Sequence, residues 1–219
     1  MTPSPLTFDE PHPFLGKLII VEGLDGSGKS TQLLLLKKWL EAKGLNVVFT
    51  EWNSSALARE PTRRGKNTKT RTPTTFSLLH ATDFASRLYH DILPPLKAGL
   101  IVLADRYVYT AFSRDAVRGV SPQWVRKVYN FAIKPDMAFY FNVPIEVAIS
   151  RLLGGTRAQL KYYEAGMDLG LSQDITESFR IFQSRILAEY EKIVSEYGLI
   201  TMDATRDIED QQNEMRRVV

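Results

Sequence analysis

The chain has 219 residues, 44% hydrophobic and 24% charged, so it has material for a sizeable buried core and is too apolar for wholesale disorder. Its net charge of +3 is too small for a general nucleic-acid binder, and the absence of cysteine excludes disulfides, thiol nucleophiles and Cys-ligated metals. The three histidines, His12, His80 and His90, lack metal-ligand spacing, and the longest apolar runs are too short to span a membrane.

In chain order, residues 1–14 read as a proline-rich lead-in without the regions of a signal peptide, so a cytoplasmic protein is expected. The run Lys17–Val21 predicts a buried parallel strand, and Ser30–Lys43 a helix stopped by Gly44. Leu45–Thr50 reads as a second strand, followed by a polar stretch whose Arg59–Arg71 portion is rich in basic residues and fits a solvated loop. Pro73 opens a helix to about Ile92, with Pro94 and Pro95 expected to break or kink it. A strand at Leu100–Leu103 ends on Asp105, a helix fits Ser121–Ile133, and Met137–Asn142 and Ile145–Leu153 read as strand and helix. Gly154–Gly170 looks like a mobile connection or lid. A long amphipathic helix from Ile175 ends near Gly198, and Leu199–Met202 and Asp207–Val218 close the chain as strand and helix. Alternating strands and helices imply a three-layer α/β fold on a parallel five-stranded sheet. Residues 15–219 then form one domain, with a lid at about 154–170.

The chemistry is concentrated in Gly23-Leu24-Asp25-Gly26-Ser27-Gly28-Lys29-Ser30, a complete phosphate-loop pattern between a strand and a helix. Its glycines let backbone N–H groups approach phosphate oxygens, and the following helix aims its positive end at the same anion. Lys29 is expected to bridge the outer phosphates and Ser30 to bind Mg²⁺, with Ser27 and Thr31 completing the nucleotide cradle. Asp105, at the end of an apolar strand, suits a magnesium-side acid, and Arg106 a contact to the transferred phosphate. An acid at a strand end also reads as an ordinary surface salt bridge, but the phosphate loop favours the first reading. Arg157, Lys161, Tyr162, Tyr163 and Glu164 form the centre of the expected lid.

Val21 to Gln32, Asp105-Arg106-Tyr107 and Asp203-Ala204-Thr205 together resemble the thymidylate kinase family of nucleoside-monophosphate kinases, over about residues 15–215. The resemblance implies ATP and Mg²⁺ as cofactors, a small nucleotide acceptor, most simply dTMP, and a possible homodimer, with no nucleic-acid or membrane partner. It implies that Asp25 approaches the acceptor's sugar and phosphate, that Arg106 with Tyr107 holds the acceptor, and that Arg157 is the lid's catalytic arginine, because Gly26 stands where one branch of the family has an arginine. Arg151, Ala204 and Thr205 join the nucleotide-binding set. Two departures stand out: Glu51 replaces an arginine after the second strand, and the base-reading positions fall on His80 and Phe84, with Arg87 a turn further. A nucleoside kinase with Glu51 as general base and a non-catalytic paralogue are the competing expectations.

Overall fold

The computed structural model describes residues 8, 10–58, 60, 72–154 and 160–219. Five strands, β1 (Lys17–Gly23), β2 (Val47–Glu51), β3 (Ile101–Asp105), β4 (Met137–Asn142) and β5 (Ile200–Asp203), form one sheet in the order β2-β3-β1-β4-β5. Every pairing is parallel. The strands therefore all end on the same edge, and β1 is buried from its second residue onward. Strand period two divides the core into two faces. Leu18, Ile20, Val102, Ala104 and Tyr140 point to one side, and Ile19, Val21, Leu103, Phe139 and Phe141 to the other.

On the first face lie α2 (Pro73–Arg87), α4 (Val108–Val117), α5 (Pro122–Val128) and α7 (Ile175–Tyr197), which contribute Phe84, Phe112, Val125, Phe182 and Ile186. On the second lie α1 (Lys29–Ala42), α6 (Ile145–Leu153) and α8 (Ile208–Val218), which contribute Leu33, Leu36, Ala148 and Met215. Apolar burial on both faces stabilises a parallel sheet that neither layer would hold alone.

The sequence reading and the structure differ at three places. The helix begun by Pro73 is not broken by Pro94 and Pro95. It widens into a π turn at Leu88–Ile92, where the Leu93 N–H donates five residues back to the Leu88 carbonyl, and continues as α3 (Leu93–Lys97). The wider turn relieves the clash that a proline ring makes with the carbonyl four residues earlier. The helix expected over Ser121–Ile133 is shorter, ending at Val128. Finally, α4 follows β3 almost directly, although Val108-Tyr109-Thr110 is β-branched and aromatic. The residue that leads into it, Tyr107, supplies no side-chain cap. The cap comes instead from Glu22 on β1, whose Oε1 accepts from the Tyr107 N–H at 2.7 Å and the Thr110 N–H at 3.2 Å.

Candidate active site

The site lies where β1, β2 and β3 end. The loop after β1 turns through left-handed backbone at Gly26 (φ +84°) and Gly28 (φ +86°). A Cβ on Gly26 would fall 2.6 Å from the Ala148 carbonyl oxygen, so glycine is required there. At Gly28 a Cβ would meet nothing within 4 Å, which leaves the backbone there open to an anion. Ser27 Oγ is buried beside that face without a hydrogen-bond partner among the described residues. The side chain of Lys29, the first residue of α1, folds back so that Nζ donates to the Leu24 carbonyl at 3.2 Å. Burial and the adjacent Arg106 lower its ammonium to about 8, against the opposing pull of Asp105 and Asp25.

Register sets the acids. Asp105 pairs with Val21 on one side and with Glu51 on the other, so the ends of β2 and β3 present two carboxylates abreast. Arg106 follows in a left-handed conformation (φ +68°), uncommon for a side chain of this size. Several contacts fix it there. Its N–H donates to the Val21 carbonyl at 2.9 Å, and its carbonyl accepts from Arg87 Nη1 at 2.9 Å. Its guanidinium pairs with Asp25 and donates to Thr110 Oγ1 at 3.3 Å. Arg114, two turns along α4, takes the other oxygen of Asp25 at 2.7 Å. Burial would raise the Asp25 carboxyl, but Arg114, Arg106 and Lys29 overcome it and hold the group well below the usual carboxylate range. Beneath them the fully buried Glu22 also accepts from Thr110 Oγ1 at 2.6 Å and from the Tyr190 hydroxyl at 2.7 Å. Desolvation raises its carboxyl despite these donors and Arg106.

These groups border a cavity of about 410 Å³ lined by Asp25, Lys29, Ser30, Glu51, Trp52, Asn53, Asp105, Arg106, Arg114, Lys161 and Glu164. A second cavity of about 210 Å³ lies along the outer side of the loop, lined by Ser27, Gly28, Thr31 and Arg151, with Gln32, Arg206, Ile208 and Gln211 across from them. Ala204 is buried below it, and Thr205 caps the exposed Asp203 through its N–H (2.9 Å) and hydroxyl (2.6 Å). The structure thus gathers most sequence-predicted residues into two adjoining hollows.

Four of them turn into the core instead. Phe84 is fully buried, packed by Tyr107, Tyr129, Phe131 and Trp52 at centroid distances of 5.0 to 5.9 Å, so it has no free face for a base. Arg87 is likewise buried and uses its donors internally, Nε on Thr50 Oγ1 (2.8 Å), Nη2 on the Thr50 carbonyl (3.3 Å) and Nη1 on Arg106. It ties the end of β2 to the left-handed turn after β3 rather than reading a substrate. The Tyr107 ring is buried, its hydroxyl donating to the Ile133 carbonyl at 2.8 Å. Trp52 covers Phe84, with ring centroids 5.9 Å apart. The loop after Glu51 is shaped by Asp83, which accepts from the Asn53 and Ser55 N–H groups, and this turns the indole onto the α2 aromatics. His80 is buried as well, 4.1 Å from Phe76 and 6.0 Å from Trp52 by ring centroid.

Arg157 lies outside the described residues, as does the Arg59–Arg71 stretch apart from Glu60. The later half of the expected lid is anchored. The Tyr163 carbonyl accepts from Arg118 (2.8 Å), the Glu164 carbonyl from Gln183 (2.9 Å) and the Ala165 carbonyl from Ser178 (2.7 Å). Sequence reasoning missed Glu22, Arg114 and Arg206. The signals were an acid closing an otherwise apolar strand, and a Thr110-Arg114-Arg118 stripe at helical spacing that becomes visible only once α4 is recognised.

The thymidylate kinase family model matches residues 21–215. A protein named probable thymidylate kinase 2 from Saccharolobus solfataricus is 45% identical, covering 93% of this chain and 95% of its own length. Probable thymidylate kinase 1 from the same organism is 32% identical, over 87% of this chain and 90% of its own. A probable thymidylate kinase from Thermococcus gammatolerans is also 32% identical, over 64% of this chain and 72% of its own.

Proposed function

For a chain that belongs to the thymidylate kinase family, we propose phosphoryl transfer from ATP to dTMP, giving ADP and dTDP, with Mg²⁺ and in the cytoplasm. The observation that carries this reading is the convergence of Lys29, Ser30, Asp105 and Arg106 on one cavity at the ends of β1 and β3. The residues fit a nucleoside triphosphate with its ion. The adjoining hollow is open at Gly28, Ser27 Oγ is an unused buried polar atom beside it, and α1 starts at Lys29 with its positive end toward this loop. No group of three acids or histidines among the described residues makes a metal cage, so Ser30 and Asp105 would hold the ion jointly with phosphate oxygens. Bound there, the ion neutralises charge on the transferring group.

An oxygen of the acceptor phosphate forms the new bond to the γ-phosphorus as the bond to the ADP oxygen breaks. The chain does no covalent work; it aligns and neutralises. Lys29 serves the donor phosphates, Arg106 the acceptor phosphate, and Asp25 keeps Arg106 oriented between turnovers. Glu51 lines the same cavity, and that observation favours a second reading, a nucleoside kinase with Glu51 as general base. Turnover of ATP with dTMP, other monophosphates and thymidine, with product identification, tests the choice. Under the first reading Glu51→Gln leaves dTMP phosphorylation intact or raises it. A loss of about a hundredfold or more, seen only with thymidine as acceptor, establishes the second.

A further inference from the structure

We propose that Arg114 is a specificity-determining residue of this site, the second cation that receives the acceptor's phosphate, an assignment that rests on the monophosphate reading above. The acceptor side of the cavity is short of positive charge. Glu51 and Asp105 stand abreast by strand register, Glu164 is already paired with Lys161 at 2.8 Å, and Lys29 faces the phosphate loop. A phosphate dianion entering there needs more than Arg106 alone to offset those acids.

The neighbouring arginines are already committed. Arg87 spends its guanidinium on Thr50 and the Arg106 carbonyl. Arg118 donates to Asp168 and to the Tyr163 and Arg114 carbonyls, and lies 4.5 and 4.6 Å from the rings of Phe76 and Phe182. Arg114 differs. Among the described residues its side chain makes one ion pair, Nη2 to Asp25, and it lines the cavity with its remaining donors unassigned. Asp25 meanwhile spans Arg106 and Arg114, one oxygen to each, as two oxygens of a phosphate would. The carboxylate occupies the anion position, and an arriving phosphate replaces or joins it between the same two guanidinium groups.

The test is calorimetric binding without turnover. Dissociation constants for dTMP, thymidine and ATP are measured on wild type, Arg114→Met and Arg114→Lys, with melting temperatures to confirm that each variant folds. Arg114→Met is expected to weaken dTMP by about ten- to a hundredfold while thymidine and ATP stay within about threefold, and Arg114→Lys to recover part of the loss. A preference for dTMP over thymidine that survives Arg114→Met overturns the assignment. So does a loss shared equally by dTMP, thymidine and ATP, which marks a structural role through Asp25. If Arg114→Met fails to fold, Arg114→Lys decides, because it keeps the charge but not the planar fork. A dTMP loss of at least threefold there, with thymidine unchanged, supports the assignment, and no loss overturns it. A wild-type protein that binds thymidine and dTMP alike removes the monophosphate reading itself, and this assignment with it.

Discussion

The two hollows at the sheet edge are built by different means. The hollow read as the donor's is built on one short run of chain, Gly23 to Thr31, shaped by left-handed backbone at its glycines, with Arg151, Arg206, Ile208 and Gln211 completing the lining. The acceptor side is assembled from side chains on β1, β2, β3 and α4. Its central pairs, Arg106 with Asp25 and Arg114 with Asp25, join residues 81 and 89 positions apart. A site made by local backbone tolerates drift in the surrounding scaffold. One made of distant side chains depends on the packing that aims them, as the contact of Trp52 with Phe84 shows beside the cavity.

Lys29→Ala gives the sharpest break on the donor side. Removing a charge-assisted contact to a transferring phosphate should lower kcat by about a thousandfold with the melting temperature little changed. Turnover within tenfold of wild type ends the phosphate-loop kinase reading. On α4, which carries Arg114, the next largest effect is on stability. Asp115 on α4 is buried with Ser77 donating to it at 2.6 Å, and desolvation raises its carboxyl from 3.8 to about 6. Because the raised value lies in the folded state, its contribution to stability is complete below about pH 3.8 and is lost as pH rises through 6. Asp115→Asn, which cannot ionise, should therefore match wild type near pH 3.5 and exceed it by as much as about 3 kcal/mol at pH 7.5. Urea unfolding at the two pH values measures this, and a pH-independent difference refutes it.

A smaller effect separates anchoring from recognition. Arg87→Met leaves buried acceptors on Thr50 and Arg106 unsatisfied and should lower stability by about 2 kcal/mol. The dTMP-to-dUMP selectivity of turnover should not move, whereas a change of tenfold would return Arg87 to the base. The smallest signal comes from Lys29. With its ammonium at about 8 in the free protein, binding of ATP phosphates should raise it and draw in part of a proton near pH 8.5. Calorimetry in two buffers of different ionisation enthalpy reads that uptake directly, and none is expected in Lys29→Met.

Much of this was legible in the sequence. All five strands, the phosphate loop and Asp105 could be read because each is written in a contiguous stretch, by apolar runs and fixed glycine spacing. The helix at Val108–Val117 was not, since its cap is a carboxylate 85 positions upstream and its first turn has strand-like residues. Phe84, Arg87 and Tyr107 have residue types suited to a substrate site, and no local signal says they are buried. Their burial is a tertiary fact: Trp52 covers Phe84, Arg87 is drawn to Thr50 and the Arg106 carbonyl, and the Tyr107 hydroxyl to the Ile133 carbonyl. The proline pair misled for a related reason: the rule holds for an α turn, and the chain adopted a π turn.

Glu22 also bears on how the molecule assembles. A carboxyl group with no solvent access is tolerable only when its donors are in place, and those donors arrive late: Tyr107 and Thr110 from mid-chain, Tyr190 from 168 positions downstream. The phosphate loop is synthesised before any of these donors, yet the strand that carries it is expected to seat fully only after α7 has docked. A fragment ending before residue 190 should therefore show weak amide protection along Lys17–Gly23 in hydrogen exchange, and the full chain strong protection there.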